Sequence, residues 1–216
     1  MQDFVVLTGI VIKAEPIGEY DRRVVILTKE RGKISAFARG ARKPNNKLMA
    51  PTNPFSFGQF KLYESRSSYN LSEADISNYF EELRQDFVGA YYGMYFLEIC
   101  NYYTRENNDE VEMLKLLYQS LRALASAKFD NRLVRCIFEL KTIMINGEFP
   151  HITESDRLSE ASLYTIKYIM ETNAQGIYSF TVNDEILNEL IRFCKKICKL
   201  LFDTNFKSLE ILENIE

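Results

Sequence analysis

One glycine constrains the fold of this chain more than any other residue. In the stretch Pro54–Tyr63, Phe55 and Phe57 lie at odd positions, whereas Phe60 and Leu62 lie at even ones, with Gly58 between them. Side chains alternate faces along a β-strand, so a strand that keeps one apolar face inward must absorb an extra residue where the parity changes. A glycine at that point predicts a β-bulge or a barrel corner. Four more strand-like segments occupy the same region: Phe4–Ala14, Tyr20–Thr28, Lys33–Arg39 and Tyr69–Asp75. Turns at 17–19 and 29–32 and a polar loop at 40–53, with its prolines and asparagines, separate them. Five short strands with a built-in corner predict a small closed or nearly closed barrel, and among five-stranded barrels the oligonucleotide-binding (OB) fold is the leading candidate.

From about Asn78 the apolar period becomes helical. Glu81–Arg105, Glu110–Lys128 and Asn131–Ile145 repeat apolar residues at three or four positions, as in Leu114, Leu117, Leu121 and Leu124. Asn146-Gly147 followed by Pro150 is a helix stop. Ser159 and Asn183 are suited to N-cap two further helices, Glu160–Glu171 and Asp184–Phe202, the second with acids in its first turn. The expected architecture is α+β and multidomain: an N-terminal five-stranded OB-fold β-barrel over residues 1–77, followed by an all-α helical domain over residues 78–216.

Charge points to a partner for the barrel. Between Arg22 and Lys47 nine Lys or Arg residues stand against one acid, Glu30, a local +8 in a chain whose total is −3. Residues 1–80 hold twelve cations and eight acids, +4, which leaves −7 for residues 81–216. A positive patch in a mildly acidic chain suits a polyanion backbone, and nucleic acid is the commonest extended one. On the third strand Ile34, Ala36 and Ala38 form an apolar inner set, while Lys33, Ser35, Phe37 and Arg39 point the other way. An aromatic ring between cations can stack a base while its neighbours hold phosphates. Arg22, Arg23, Lys33, Phe37, Arg39, Arg42, Lys43 and Lys47 are therefore the expected nucleic-acid-binding residues.

Other chemistries find little support. The one histidine, His151, sits beside Pro150 without GxSxG, HExxH or another catalytic signature. Arg31-Gly32-Lys33 resembles the end of a phosphate-binding loop, but Leu27 stands where the earlier glycine is required and Ile34 where Ser or Thr is required. No catalytic residue, metal or cofactor is expected. Cys100, Cys136, Cys194 and Cys198 form no CxxC pair and read as reduced core thiols. Cys194 and Cys198, one helical turn apart, have the spacing of a shared metal site, yet Cys194 continues the apolar series Leu187, Leu190, Cys194, Ile197, Leu201. The aromatic run Phe87, Tyr91, Tyr92, Tyr95, Phe96, Tyr102, Tyr103 has the spacing of a helix packed on two sides, so it is assigned to core or a domain interface. The longest apolar-rich run, Phe87–Cys100, has fourteen residues and includes Glu98, too short to span a bilayer. No signal peptide is visible, and a cytoplasmic location is expected.

The residues also carry a family resemblance. Thr8-Gly9-Ile10-Val11-Ile12-Lys13, Gly18-Glu19-Tyr20-Asp21-Arg22 and the block Arg31-Gly32-Lys33-Ile34-Ser35-Ala36-Phe37-Ala38-Arg39-Gly40-Ala41-Arg42-Lys43-Pro44 strongly resemble RecO, the bacterial recombination mediators. The similarity continues through Pro54–Phe60 and, more weakly, through the aromatic helix and Phe138-Glu139-Leu140-Lys141. The resemblance implies a non-enzymatic DNA repair factor that binds single- and double-stranded DNA and anneals complementary strands. It also implies the tail of the single-strand-binding protein, RecR and, less directly, RecF as partners, RecA loading on gapped DNA, and association with the nucleoid. The family's basic barrel face maps onto Arg22, Arg23, Lys33, Arg39, Arg42 and Lys43. For the tail, an apolar groove rimmed by cations is needed, and Arg132, Arg135, Lys141, Lys195, Lys196 and Lys199 offer charge. Many relatives carry a four-cysteine zinc module after the third long helix; here residues 147–158 contain no cysteine, so zinc is not expected. The rival from another class is an OB-fold RNA-binding regulatory module, because this kind of barrel serves RNA equally well.

Overall fold

The computed structural model describes residues 4–65 and 68–215. Strands β1 (Phe4–Ile17), β2 (Asp21–Thr28), β3 (Gly32–Ala38), β4 (Phe57–Glu64) and β5 (Tyr69–Asn78) close into a barrel in the order β1-β2-β3-β5-β4. Every neighbouring pair is antiparallel except β3–β5, a short parallel seam of Ala36↔Tyr69 and Phe37↔Asn70. This is the OB-fold barrel that the strand count and the parity change predicted.

The corner lies where the glycine placed it. The β4–β5 register shifts between Phe57 and Gly58 and again between Lys61 and Leu62. Gly58 pairs with Gly9 of β1, and a Cβ on Gly58 would overlap the Asp75 carbonyl oxygen, so close strand approach requires glycine here. Past the corner Phe60 and Leu62 are fully buried with Val24, Ile26, Ile34 and Leu71 in the barrel core. β4 starts at Phe57 rather than Pro54 because Phe55, at φ 72°, is still in the loop, its N–H donating to the Val11 carbonyl at 3.1 Å. The 40–56 loop is a chain of tight turns, with Lys43 N–H bonded to Gly40 O, Asn46 N–H to Lys43 O and Met49 N–H to Asn46 O.

Seven helices follow: α1 (Glu81–Gln85), α2 (Phe87–Tyr103), α3 (Val111–Leu124), α4 (Asn131–Ile145), α5 (Glu160–Glu171), α6 (Asp184–Leu201) and α7 (Lys207–Ile215), with a 3-10 turn at Glu154–Asp156. The continuous helix expected over 81–105 is split at Asp86, whose carbonyl accepts from Ala90 N–H at 2.8 Å to begin α2. Ser159 and Asn183 do cap α5 and α6, accepting from the N–H groups of Ser162 and Ile186. Gly147, at φ 72°, follows the C-cap Asn146 of α4.

The chain packs as two compact units, one of Met1–Glu81 with Leu97–Leu114, the other of Glu82–Phe96 with Lys115–Glu216. The second has its core between α4, α5 and α6, where Ile137, Leu140, Ile166, Ile169, Leu190, Phe193 and Ile197 are buried. Phe96 stacks on Phe138 at 4.1 Å in the same unit. Of the aromatic run, Tyr92, Tyr95 and Phe96 are fully buried, whereas Phe87 is exposed at the start of α2 and meets Tyr91 edge-on at 4.9 Å. No helix among the described residues is long and apolar enough to cross a membrane.

Candidate nucleic-acid interface

Strand alternation and barrel closure together build one polar face. Inward residues of β3 are buried, while Lys33, Ser35 and Phe37 face out, Phe37 with 37% of its surface exposed. The pairing lays Lys13, Val25 and Ser35 in one row across β1, β2 and β3, and Glu15, Arg23 and Phe37 in the next. Arg23 is the cross-strand partner of Phe37 and is oriented by a 2.8 Å bond from its Nε to Ser35 Oγ. Lys13 joins this face because the β1 register shifts between Val11 and Lys13. Its ammonium is 2.7 Å from Glu15, whose carboxyl the Lys13 contact holds below its ordinary range.

The face continues into a cleft of about 350 Å³ whose lining includes Lys13, Glu15, Arg23, Lys33, Arg105 and Glu106. Residues 105–107 return along the β2–β3 turn: Lys33 N–H donates to Arg105 O and Asn107 N–H to Arg31 O, both at 3.0 Å. Lys33 Nζ donates to Asn101 O at 2.5 Å, capping one of the last carbonyls of α2. Burial, and then the neighbouring Arg105 charge, lower the Lys33 pKa. Four cations against two acids leave this cleft positive.

A second cluster sits on the rim. Arg39, Arg42 and Lys43 are exposed just beyond β3. Among the described residues, Arg23, Arg39, Arg42 and Lys43 have no carboxylate within salt-bridge distance, so their charge is available to a ligand.

Three cations of the basic stretch are engaged elsewhere. Arg22 shares its parity with Val24 and Ile26 rather than with Arg23, and its Nη1 donates to Met49 O, Thr52 Oγ1 and Asn53 Oδ1 at 3.0, 2.9 and 2.8 Å. Burial, with Arg42 nearby, lowers its pKa. Lys47 lies 3.6 Å from Glu73, which also faces Lys61, and Arg31 binds Glu64 and the Tyr69 hydroxyl across the barrel seam. Lys13 and Arg105 were not singled out from the sequence. The bulge in β1 would have revealed Lys13, whereas only the return of the chain after α2 reveals Arg105.

The cations of the helical unit sort in the same way. A groove of about 500 Å³ has Tyr95, Phe202, Phe206 and Leu209 in its lining together with Arg135, Lys195 and Lys199 and the acids Asp203, Glu210 and Glu213; Arg135 pairs with Glu139 at 2.8 Å and Lys195 with Glu213 at 3.2 Å. Lys141 is buried and donates to Met170 O at 2.7 Å; Lys196 pairs with Asp156 at 2.6 Å and Arg132 with Asp130 at 2.7 Å.

The residues do not fit a zinc module. All four cysteines are buried, burial pushes the Cys100, Cys194 and Cys198 thiols well up, and no three metal-capable side chains gather among the described residues. His151 is exposed.

Comparison with known proteins gives a consistent picture. Residues 1–80 match the family described as Recombination protein O N terminal, and residues 84–155 match Recombination protein O C terminal. A protein of Acetivibrio thermocellus named DNA repair protein RecO is 25% identical over 241 aligned residues, covering 97% of this chain and 96% of that one. One of the same name from Alkaliphilus metalliredigens is 27% identical over 240, covering 96% and 98%. Another from Symbiobacterium thermophilum is 35% identical over 144 residues, 67% of this chain and 57% of that one.

Proposed function

The chain belongs to the RecO family of DNA repair proteins, and from that premise we propose that it is a non-enzymatic recombination mediator that binds single- and double-stranded DNA and anneals complementary strands. The OB domain, residues 1–77, would hold the DNA, and the helical domain, residues 78–216, would meet the protein partners. The observation that carries this reading is the outward face of β2 and β3, where Arg23 is paired across the strands with an exposed Phe37 and leads to Arg39, Arg42 and Lys43, which make no ion pair among the described residues. Phosphates of two strands repel; cations that neutralise both lower the work of bringing them together, and an aromatic ring holds an unpaired base meanwhile. Lys33, bonded to Asn101 O, and Lys47, paired with Glu73, lie at the edges of this surface, and Arg22 shapes the loop that presents Arg42 and Lys43.

The helical groove is the candidate dock for the acidic, apolar-ended tail of the single-strand-binding protein: its aromatic lining suits the apolar end, and Lys199 in the same lining offers charge to the acidic part. With RecR, and with RecF where present, such docking would bring the barrel to coated gaps and help load RecA. The deciding assay is annealing of complementary strands coated with the cognate single-strand-binding protein. Annealing that fails when that protein lacks its terminal phenylalanine supports both domains' roles. Binding of RNA in preference to DNA, with no annealing, would replace this reading by an RNA-binding regulatory one.

A further inference from the structure

The rim beside the DNA face carries an aromatic ring that the charge pattern did not single out. Tyr20 occupies the β1–β2 turn with 42% of its surface exposed. The backbone beneath it is fixed: Arg42 N–H donates to Tyr20 O at 2.8 Å, and Gly40 N–H donates to Asp21 Oδ1 at 2.7 Å. Arg42 Nη1 adds a 3.3 Å bond to Gly18 O. Lys43 Nζ lies 5.2 Å from the ring centroid. A shallow cleft of about 460 Å³ surrounds it, lined also by Arg39 and Lys43 and by Glu19 and Asp21, the latter carboxylate already accepting from Gly40 N–H.

An exposed ring on a fixed backbone, with Lys43 against it and Arg39 in the same cleft, is suited to stack a base. Covering the ring removes apolar surface from water. In OB barrels the loop joining the first two strands is one of the places where oligonucleotides lie. We propose that Tyr20 is a second nucleobase-stacking site, which takes an unpaired base of the strand that also contacts Phe37, while Lys43 and Arg39 receive its phosphates. The inference rests on the reading of the barrel as a DNA-binding surface. Tyr20 lies in the turn three residues before Arg23, the cross-strand partner of Phe37, so the two rings serve different bases. A paired base in a duplex is already stacked on its neighbours, so Tyr20 favours single strands.

The test titrates the full chain with single strands carrying 2-aminopurine at successive positions and with a duplex of equal length. Tyr20→Ala should weaken single-strand binding roughly tenfold, the order of one stacked base, and leave duplex affinity and the salt slope unchanged. Tyr20→Phe should bind as the wild type does. Tyr20→Ala and Phe37→Ala should each abolish fluorescence quenching at a different position. Should Tyr20→Ala not fold, Tyr20→Leu carries the same expectation. Unchanged single-strand binding by Tyr20→Ala or, where that does not fold, by Tyr20→Leu overturns the inference alone. So does an equal loss for single strand and duplex with a flatter salt slope, since Tyr20 would then only position Lys43. A wild-type chain that binds neither DNA form overturns the DNA reading and this inference with it.

Discussion

Replacing Arg22 and Arg23 by alanine, one at a time, should produce opposite defects although the residues are adjacent. Arg22 donates from one nitrogen to three loop acceptors, one of them the fully buried Thr52. Two effective charge-assisted bonds are worth about 2–3 kcal/mol in sum, because the site is only partly shielded from water. At roughly 2–4 °C per kcal/mol for a chain of this size, Arg22→Ala should lower the melting temperature by about 5–10 °C. Arg23 makes one exposed bond to Ser35, so Arg23→Ala should change stability by less than about 0.5 kcal/mol. Binding should show the reverse. Four cations without carboxylate partners, at about −0.7 each on a single strand, give a log–log salt slope near −2.8, or about a 50-fold loss of affinity from 50 to 200 mM salt. Without Arg23 the slope should be about −2.1 and the loss about 18-fold. The two measurements are a calorimetric melt and a fluorescence-anisotropy titration at several salt concentrations. If Arg22→Ala melts like the wild type and flattens the slope as much as Arg23→Ala does, the division of labour drawn from strand parity is wrong.

The double variant Arg39→Glu/Arg42→Glu should halve the slope to about −1.4 and suppress annealing of bare strands, with an unchanged slope locating the DNA elsewhere. Gly58→Ala should destabilise the barrel by about 3 kcal/mol, since the new methyl meets the Asp75 backbone, and urea denaturation would measure this; a wild-type midpoint would argue against the tight corner. The Arg132 hydrogen bond holds the Asp130 carboxyl below its ordinary value, so the stability it contributes is present above about pH 4 and lost as pH falls through the lowered value. Asp130→Asn should reduce the acid dependence of the melt between pH 3 and 5, and an unaltered profile would remove Asp130 from that account.

Local signals were legible in proportion to how local their physics is. Helices α4 and α5 run over Asn131–Ile145 and Glu160–Glu171, the spans marked by apolar period, stop signal and cap. Helix α7 was not anticipated: it is short, and the element is anchored from just before its start by Phe206, whose ring meets Tyr95 at 5.5 Å and Phe202 at 5.1 Å. The break at Asp86 was hidden because an apolar run resumes directly at Phe87. Lys33 illustrates the limit for the site. Its outward direction followed from alternation, but the acceptor that holds it, Asn101 O, lies 68 residues away.

The sequence by itself determined that this chain makes a five-stranded barrel followed by helices, and that the barrel half carries the positive charge. Alternation and helical period are properties of a few consecutive residues, and net charge needs no geometry at all. Only the tertiary structure decided which cations remain available. Closure of the barrel carries the 49–53 turns to Arg22 and the Glu73 carboxylate to Lys47, the end of α2 packs back onto Lys33, and Arg23, Arg39, Arg42 and Lys43 are left facing outward. Their neutralising partners are remote in sequence, so the chain order that reveals the charge cannot reveal which of it is already satisfied.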